Sequence, residues 1–124
     1  MEELAYLSIK EAARLLARKE ISPVELTKAC LQRIERFDPQ INSFITTVPW
    51  IAMEQAHRAE VELLKGEHRG PLHGIPIALK DLYETAGIQT TAGSRHFANF
   101  VPEKDAVPFQ KLHEAGAILL GKLN

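Results

Sequence analysis

Apolar residues recur at helical spacing in the first third of the chain. Residues 8–11 (SIKE) form a capping box, in which a serine and a glutamate satisfy exposed amides at the start of a helix. The apolar stripe that follows consists of Ile9, Ala12, Ala13 and Leu16. Residues 22–25 (SPVE) form a second capping box with proline at the first helical position. Its stripe consists of Leu26, Cys30, Ile34 and Phe37. Two amphipathic helices are therefore predicted over about residues 8–38, the second ending at Asp38-Pro39.

The next part of the chain alternates between strand and helix patterns. Residues 42–48 are rich in β-branched and aromatic residues, which favours one strand. A third helix is predicted from Pro49 to Gly66. Its apolar side consists of Ala52, Ala56, Ala59 and Leu63. A second strand is predicted over residues 75–80 (IPIALK), followed by a glycine-containing loop over residues 85–94.

The last part of the chain has one more helix and one more strand. Asp105 is predicted to cap a helix with Pro108 in its first turn, and this helix is predicted to end near Gly116. Residues 117–120 (AILL) predict a third buried strand. Strands alternating with helices indicate an α/β fold with a largely parallel sheet, and the absence of repeats and linkers indicates one unit over residues 1–124. Because an apolar strand with no covering element would be left at an unpaired edge, we expect the chain to be a piece of something longer.

Composition and charge narrow the class of function. A chain of 124 residues with a net charge of −1 fits a small soluble domain and argues against a nucleic-acid or membrane-surface role. The single cysteine, Cys30, cannot form an internal disulfide, and the N-terminus does not have the pattern of a signal peptide, so a cytoplasmic protein is expected. The five histidines lack metal-ligand spacing, and the glycines lack a phosphate-binding pattern. We therefore expect neither a metal nor a cofactor.

Lys80 is the one residue whose position calls for a chemical explanation. In the predicted strand the large side chains, those of Ile75, Ile77 and Leu79, share one face. The opposite face carries Pro76, Ala78 and Lys80. If the strand lies inside the sheet, the amine is shielded from water at the carboxyl end of a strand, where sites in α/β proteins gather. A neutral amine can then accept a proton from a hydroxyl. The alternative is a strand-end lysine whose amine simply reaches solvent.

The segment around Lys80 resembles a known family. Residues 70–81 (GPLHGIPIALKD), the loop sequence TTAGS at 90–94 and the run from residue 105 to Asn124, which ends in AGAILLGKLN, are similar to the amidase signature family of serine amide hydrolases. The motif matches lie between Gly70 and Asn124, and the helical N-terminus also suits the family. The resemblance spans this whole chain but only the opening portion of a family member. It implies an α/β/α fold with a mixed central sheet.

The resemblance also implies a mechanism. Family members use a Ser–cis-Ser–Lys triad, in which a serine attacks the amide carbonyl to form an acyl-enzyme, and Lys80 matches the lysine that acts as the base. The two catalytic serines of the family lie in a later segment that is absent from these 124 residues. The serines of this chain are Ser8, Ser22, Ser43 and Ser94. This chain would therefore contribute the base without the nucleophile and is predicted to be inactive alone.

Three functions remain open at this stage. The first is an amidase that acts on a small amide substrate. The second is the A subunit of an aminoacyl-tRNA amidotransferase, which releases ammonia for partner subunits. The third is a non-catalytic α/β module that binds a partner. The sequence does not separate them, because the segments that would build the substrate pocket are missing.

Overall fold

The computed structural model describes residues 2–124 and is a mixed α/β structure. Four α-helices and three strands occur in this part of the chain, together with 3₁₀ helices at Glu2–Tyr6 and Arg95–Phe97. In chain order the elements are α1 (Ile9–Ala17), α2 (Pro23–Ile41), β1 (Phe44–Thr47), α3 (Pro49–Leu64), β2 (Pro76–Lys80), α4 (Val107–Glu114) and β3 (Ile118–Leu123). Both predicted capping boxes form, at Ser8 and Ser22. The predicted α/β class and the order of elements are confirmed.

The end of α2 differs from the prediction. The helix continues through Asp38 and Pro39 to Ile41, and Asn42 ends it in the left-handed conformation with φ 55°. The missing amide of Pro39 removes only one hydrogen bond from the last turn. The Asp38 carboxylate instead accepts hydrogen bonds from the hydroxyl and the backbone N–H of Ser43, at 2.5 and 2.8 Å. Because these bonds favour the ionised form, they hold the pKa of Asp38 below its ordinary value.

The start of α4 also differs. Ala106 occupies the N-cap position and makes no side-chain cap, so the predicted cap at Asp105 was wrong. The Asp105 carboxylate accepts a hydrogen bond from the backbone N–H of Ala86, at 2.7 Å, and so holds the loop after β2. Pro108 does lie in the first turn. The helix ends at Glu114, just before Gly116, which adopts φ +86°.

The sheet has the order β1-β3-β2, with β3 parallel to β2 and antiparallel to β1. The last strand is therefore central and paired on both sides, so the expectation that it forms an unpaired edge was wrong. The sheet is mixed, and β2, which was expected inside it, is an edge strand among the described residues. Its pairing with β3 contains a register shift between Ile77 and Ala78. That shift decides which β3 side chains share a face.

The core lies on both faces of the sheet. On one face, Ala52 and Ala56 of α3 are fully buried against Ile118 and Leu120, with Cys30 half-buried beside them. Small alanines allow the helix to approach the strand closely, and each large aliphatic side chain buried there contributes about 1.5–3 kcal/mol. On the other face, a second cluster consists of Val48, Leu79, Ile88, Phe109 and Leu119. A third cluster lies under α1 and consists of Ala12, Leu16, Leu26, Leu63 and Ile75.

Within residues 2–124, no helix is both long enough and apolar enough to cross a bilayer.

Candidate functional site

Lys80 ends β2 with its side chain exposed to solvent. It lines a pocket of about 70 Å³ that lies at the carboxyl ends of the parallel pair β2 and β3. The other lining residues are Ile45, Asp81, Leu82, Ala92, Gly93, Leu123 and Asn124. The predicted position at the carboxyl end of a strand is confirmed. The expected shielding is not, because no strand of residues 2–124 pairs with the outer edge of β2.

Asp81, the residue after Lys80, is turned inward and is 2% exposed. Its Oδ2 accepts hydrogen bonds from the hydroxyl and the backbone N–H of Thr91, at 2.5 and 3.0 Å. Its own carbonyl accepts from the N–H of Ala92 at 2.9 Å, and its N–H donates to the carbonyl of Leu123. Asp81 therefore fastens the loop that forms one wall of the Lys80 pocket to the end of the sheet.

Lys122 of β3 is the buried lysine of this region, with no exposed surface. Its Nζ donates to the carbonyl of Tyr83 at 2.8 Å and to the hydroxyls of Thr85 and Thr90 at 3.0 and 2.9 Å. Asp81 Oδ1 lies 3.5 Å from the same Nζ. Burial lowers the pKa of Lys122, and the neighbouring Asp81 carboxylate opposes that effect.

Lys122 was not singled out from the sequence. Simple alternation along β3 places Leu119 and Lys122 on opposite faces, because they are three residues apart. The register shift pairs Ile77 with Leu119 and Leu79 with Lys122, so both β3 side chains share the face of Leu79. The sequence signals were a lysine in an otherwise apolar strand, directly after Gly121, and its place in the family-matched run that ends at Asn124.

An open groove of about 370 Å³ adjoins the Lys80 pocket. The two share Ile45, Gly93 and Asn124. The other lining residues are Gln89, Thr91, Ser94, Arg95 and Ala98. Three polar residues of the predicted loop, Gln89, Thr91 and Ser94, therefore line a groove that continues from the Lys80 pocket, which is a suitable geometry for a small polar substrate.

Comparisons with known proteins place this chain in a family. A family model described as Amidase matches residues 25–124. The chain belongs to the amidase signature family. It is 53% identical over 117 residues to the A subunit of the glutamyl-tRNA(Gln) amidotransferase of Methylococcus capsulatus, a match that covers 94% of this chain and 24% of that relative. The corresponding protein of Geobacter metallireducens is 48% identical over 122 residues, which cover 98% of this chain and 25% of that protein.

The fold is similar to solved amidase structures. The native peptide amidase of Stenotrophomonas maltophilia matches with a TM-score of 0.92 and 35% sequence identity, over 100% of this chain and 26% of that enzyme. This amidase-family chain thus spans about a quarter of the length of the relatives that it matches. The α/β architecture expected from the resemblance is confirmed.

The four serines of the amidase-family chain serve local structure. Ser8 and Ser22 cap α1 and α2, and Ser43 donates to Asp38. Ser94 accepts a hydrogen bond from the backbone N–H of His96 and lines the open groove. None of the described residues that line the Lys80 pocket is a serine.

His73, in the turn before β2, is enclosed rather than available to a ligand. It is 1% exposed, and its Nε2 lies 2.7 Å from Glu62 Oε2. Its Nδ1 accepts the backbone N–H of Arg69 at 3.1 Å, which assigns the proton to Nε2. Burial lowers the pKa of His73, although the Glu62 carboxylate acts in the opposite direction. Within residues 2–124, no three His, Cys, Asp or Glu side chains are grouped to hold a metal ion.

Proposed function

We propose that this chain supplies the base, Lys80, of an enzyme that cleaves the C–N bond of an amide. The observation that carries the proposal is the position of Lys80. Lys80 lines a pocket at the carboxyl ends of parallel strands, in a chain of the amidase signature family. Sites of α/β proteins gather at such strand ends.

The chemistry assigned to Lys80 is proton transfer. A serine hydroxyl is almost fully protonated at neutral pH and needs a base before it can attack a carbonyl carbon. In the proposed reaction the Lys80 amine takes the serine proton through a second serine. The serine oxygen bonds to the carbonyl carbon, and the proton passes to the leaving nitrogen as the C–N bond breaks. Water then hydrolyses the acyl-enzyme. This Ser–cis-Ser–Lys scheme uses no metal and no cofactor.

The two serines of this scheme are assigned to a segment outside these 124 residues. No serine lines the pocket of Lys80 among the described residues. We therefore propose that the 124-residue chain alone does not hydrolyse amides, and that Lys80 acts when the pocket is completed by the rest of the catalytic machinery.

A second candidate is supported by the identity to the A subunits of tRNA amidotransferases, which reaches 53%. In this case the substrate is the side-chain amide of glutamine or asparagine, and ammonia passes to partner subunits. In both cases the amide substrate is small, and the chain itself contacts neither nucleic acid nor membrane. The cytoplasm is the proposed location, because aminoacyl-tRNA is made and used there.

The test uses the protein expressed from the complete reading frame that encodes these residues. Ammonia release is measured with glutamine and with a panel of small carboxamides. Lys80→Ala is expected to lower kcat by at least about 1,000-fold, as loss of one member of a catalytic triad does. Release from glutamine that rises when amidotransferase partner subunits are added would favour the second candidate. Hydrolysis of simple carboxamides without partners would favour the first.

The matched control is Lys28→Ala. Lys28 is also exposed, but it lies on α2, away from the pocket, and alanine preserves its helix. This variant is expected to retain full activity. Equal, measurable activity of the wild type and Lys80→Ala would refute the role of Lys80. Absence of activity in the wild type with every amide and with the partner subunits would leave the non-catalytic module as the remaining function.

A further inference from the structure

The proposed proton transfer makes no use of Lys122, yet this lysine is the most thoroughly bonded side chain near the site. All three of its ammonium protons have acceptors, namely the Tyr83 carbonyl and the hydroxyls of Thr85 and Thr90. A buried ammonium is costly unless it is paired and fully hydrogen-bonded, and here Asp81 provides the opposite charge at 3.5 Å. These three hydrogen bonds and the ion pair fix the position of the Lys122 side chain.

The direction of these hydrogen bonds identifies the lysine as the donor. The Thr90 hydroxyl donates its own proton to the carbonyl of Ile88 at 3.1 Å, so towards Lys122 it can only accept. The Tyr83 carbonyl has no proton to give. At least two N–H groups of the ammonium therefore donate hydrogen bonds to the segment between residues 83 and 90, at Tyr83 and Thr90. An apolar side chain of the same length could not hold this segment.

The segment held by Lys122 continues directly into the wall of the Lys80 pocket. Thr90 is followed by Thr91, which bonds to Asp81, and then by Ala92 and Gly93, which line the pocket. The Thr91 hydroxyl also accepts the backbone N–H of Gly93 at 3.2 Å. The chain of contacts thus runs from Lys122 and Asp81 to residues 91–93 and ends beside Lys80.

Lys122 and Lys80 lie on opposite faces of the sheet. Lys80 is paired in register with Leu123, the residue after Lys122, and successive strand residues point to opposite sides. Lys122 therefore cannot take part in the reaction by contact. The loop connects the two lysines, since Thr90 bonds to Lys122 and Ala92 and Gly93 line the Lys80 pocket.

We propose that Lys122 is a positioning residue that fixes residues 91–93 against the end of β2 and thereby sets the shape of the pocket around Lys80. The part of this inference that concerns catalysis rests on the proposed function. The part that concerns the loop does not.

The loop is tested by amide hydrogen exchange on the 124-residue chain. In Lys122→Met, which keeps the length of the side chain but removes its charge and donors, the amides of Thr91 and Ala92 are expected to lose protection by at least about 10-fold. The amide of Leu119, which donates to Gln55 on the other side of the sheet, is expected to keep its protection. Lys28→Met is the control for a lysine outside the network and is expected to change neither set. Unchanged exchange at Thr91 and Ala92, or an equal loss at all amides, would overturn the proposal.

A second variant decides the matter if Lys122→Met does not fold. Thr90→Val preserves the shape of the side chain and the charge of Lys122 but removes one acceptor of Lys122, together with the hydrogen bond from the Thr90 hydroxyl to the carbonyl of Ile88. It is expected to weaken protection of the same two amides, by less than Lys122→Met would. Full protection of Thr91 and Ala92 in Thr90→Val would then contradict the proposal.

The catalytic part is tested by kinetics in the protein expressed from its complete reading frame. Lys122→Met is expected to lower kcat by about 100-fold with little change in KM, as displacement of a catalytic group by about 1 Å does. In a background that already carries Lys80→Ala, the same substitution is expected to add no further loss, because residues that act as a unit are not additive. An equal loss in both backgrounds would show that Lys122 does not act through Lys80. If Lys80→Ala itself has no effect, the proposed function fails, while the exchange result still decides whether Lys122 holds the loop.

Discussion

His73 shows how the surroundings of one residue determine its charge. The ring is packed against Gly116, where an added Cβ would lie 2.5 Å from its Cδ2, so the turn before β2 and the turn after α4 fit together only with glycine at this position. Protonation of Nδ1 would abolish the hydrogen bond from the backbone N–H of Arg69. Burial lowers the pKa of His73, and this bond also favours the neutral imidazole.

The stability of the fold is expected to fall in weak acid because of His73. Its pKa in the folded state lies below 6.5, the value expected in the unfolded chain. As the pH falls through about 6.5, the unfolded state takes up a proton that the folded state does not. The free energy of unfolding therefore decreases as the pH falls, by at most about 1.4 kcal/mol per pH unit for one group.

Urea denaturation between pH 7 and pH 5 checks this sign. His73→Gln removes the titrating group, so it is expected to lower the stability at pH 7 but to give a shallower pH dependence than the wild type. Gln32→Ala, at an exposed position of α2, removes no titrating group and is expected to leave the slope unchanged. Parallel curves for the wild type and His73→Gln would contradict the assignment.

At the scale of elements, β3 is the central strand of the sheet, and Gly121 allows β1 to pair closely with it. The strand is flanked on both sides, and at Gly121 the backbone of β1 approaches closely. An added Cβ there would overlap the carbonyl oxygen of Thr46 and lie 3.0 Å from the ring of Phe44. The requirement for glycine is therefore one of space between two strands.

Gly121→Ala is expected to destabilise the chain by about 1–3 kcal/mol, since the clash is with backbone and β1 has to shift. Equilibrium urea denaturation measures the loss. Hydrogen exchange is expected to increase at the amide of Val48, which donates to Leu120 across the β1–β3 pair. Gly66→Ala is the comparison, because nothing lies within 4 Å of its added Cβ and only its φ of +82° opposes the change. A smaller loss for Gly121→Ala than for Gly66→Ala would contradict this explanation.

At the scale of the whole molecule, two edges of the sheet and several apolar side chains are uncovered among the described residues. The outer edges of β1 and β2 carry no further strand within residues 2–124. Around the loop after β2, Leu82, Phe97 and Phe100 remain 50%, 46% and 40% exposed. The chain spans about a quarter of the length of its relatives, so a site built at its open edge is expected to need groups from elsewhere.

The isolated 124-residue chain is accordingly expected to release no ammonia from glutamine or small carboxamides above the rate of a buffer blank. The reason is the lack of a serine in the Lys80 pocket among the described residues, which leaves the base without a hydroxyl to activate. A coupled ammonia assay measures this, with the product of the complete reading frame as the positive reference. Turnover by the isolated chain that disappears in Lys80→Ala would contradict the expectation.

The sequence by itself determined the local structure and the family. The capping boxes at Ser8 and Ser22, the strand before Lys80 and the family motif all depend on residues close together in the chain, whose preferences are expressed within a few turns or one strand. The position of Lys80 at a strand end was predictable for the same reason. The α4 cap and the end of α2 were not, because Asp105 and Asp38 bond to segments outside their own helices.

Only the tertiary structure decided what surrounds the candidate site. The central position of β3 depends on its pairing with both β1 and β2, which are far apart in the chain. The burial of Lys122 depends on one register shift between β2 and β3, which moves its side chain from one face of the sheet to the other. Alternation along a single strand cannot reveal such a shift, because the shift belongs to the pair of strands. For that reason the sequence pointed to Lys80, while the structure showed the buried lysine that is hydrogen-bonded to the neighbouring loop.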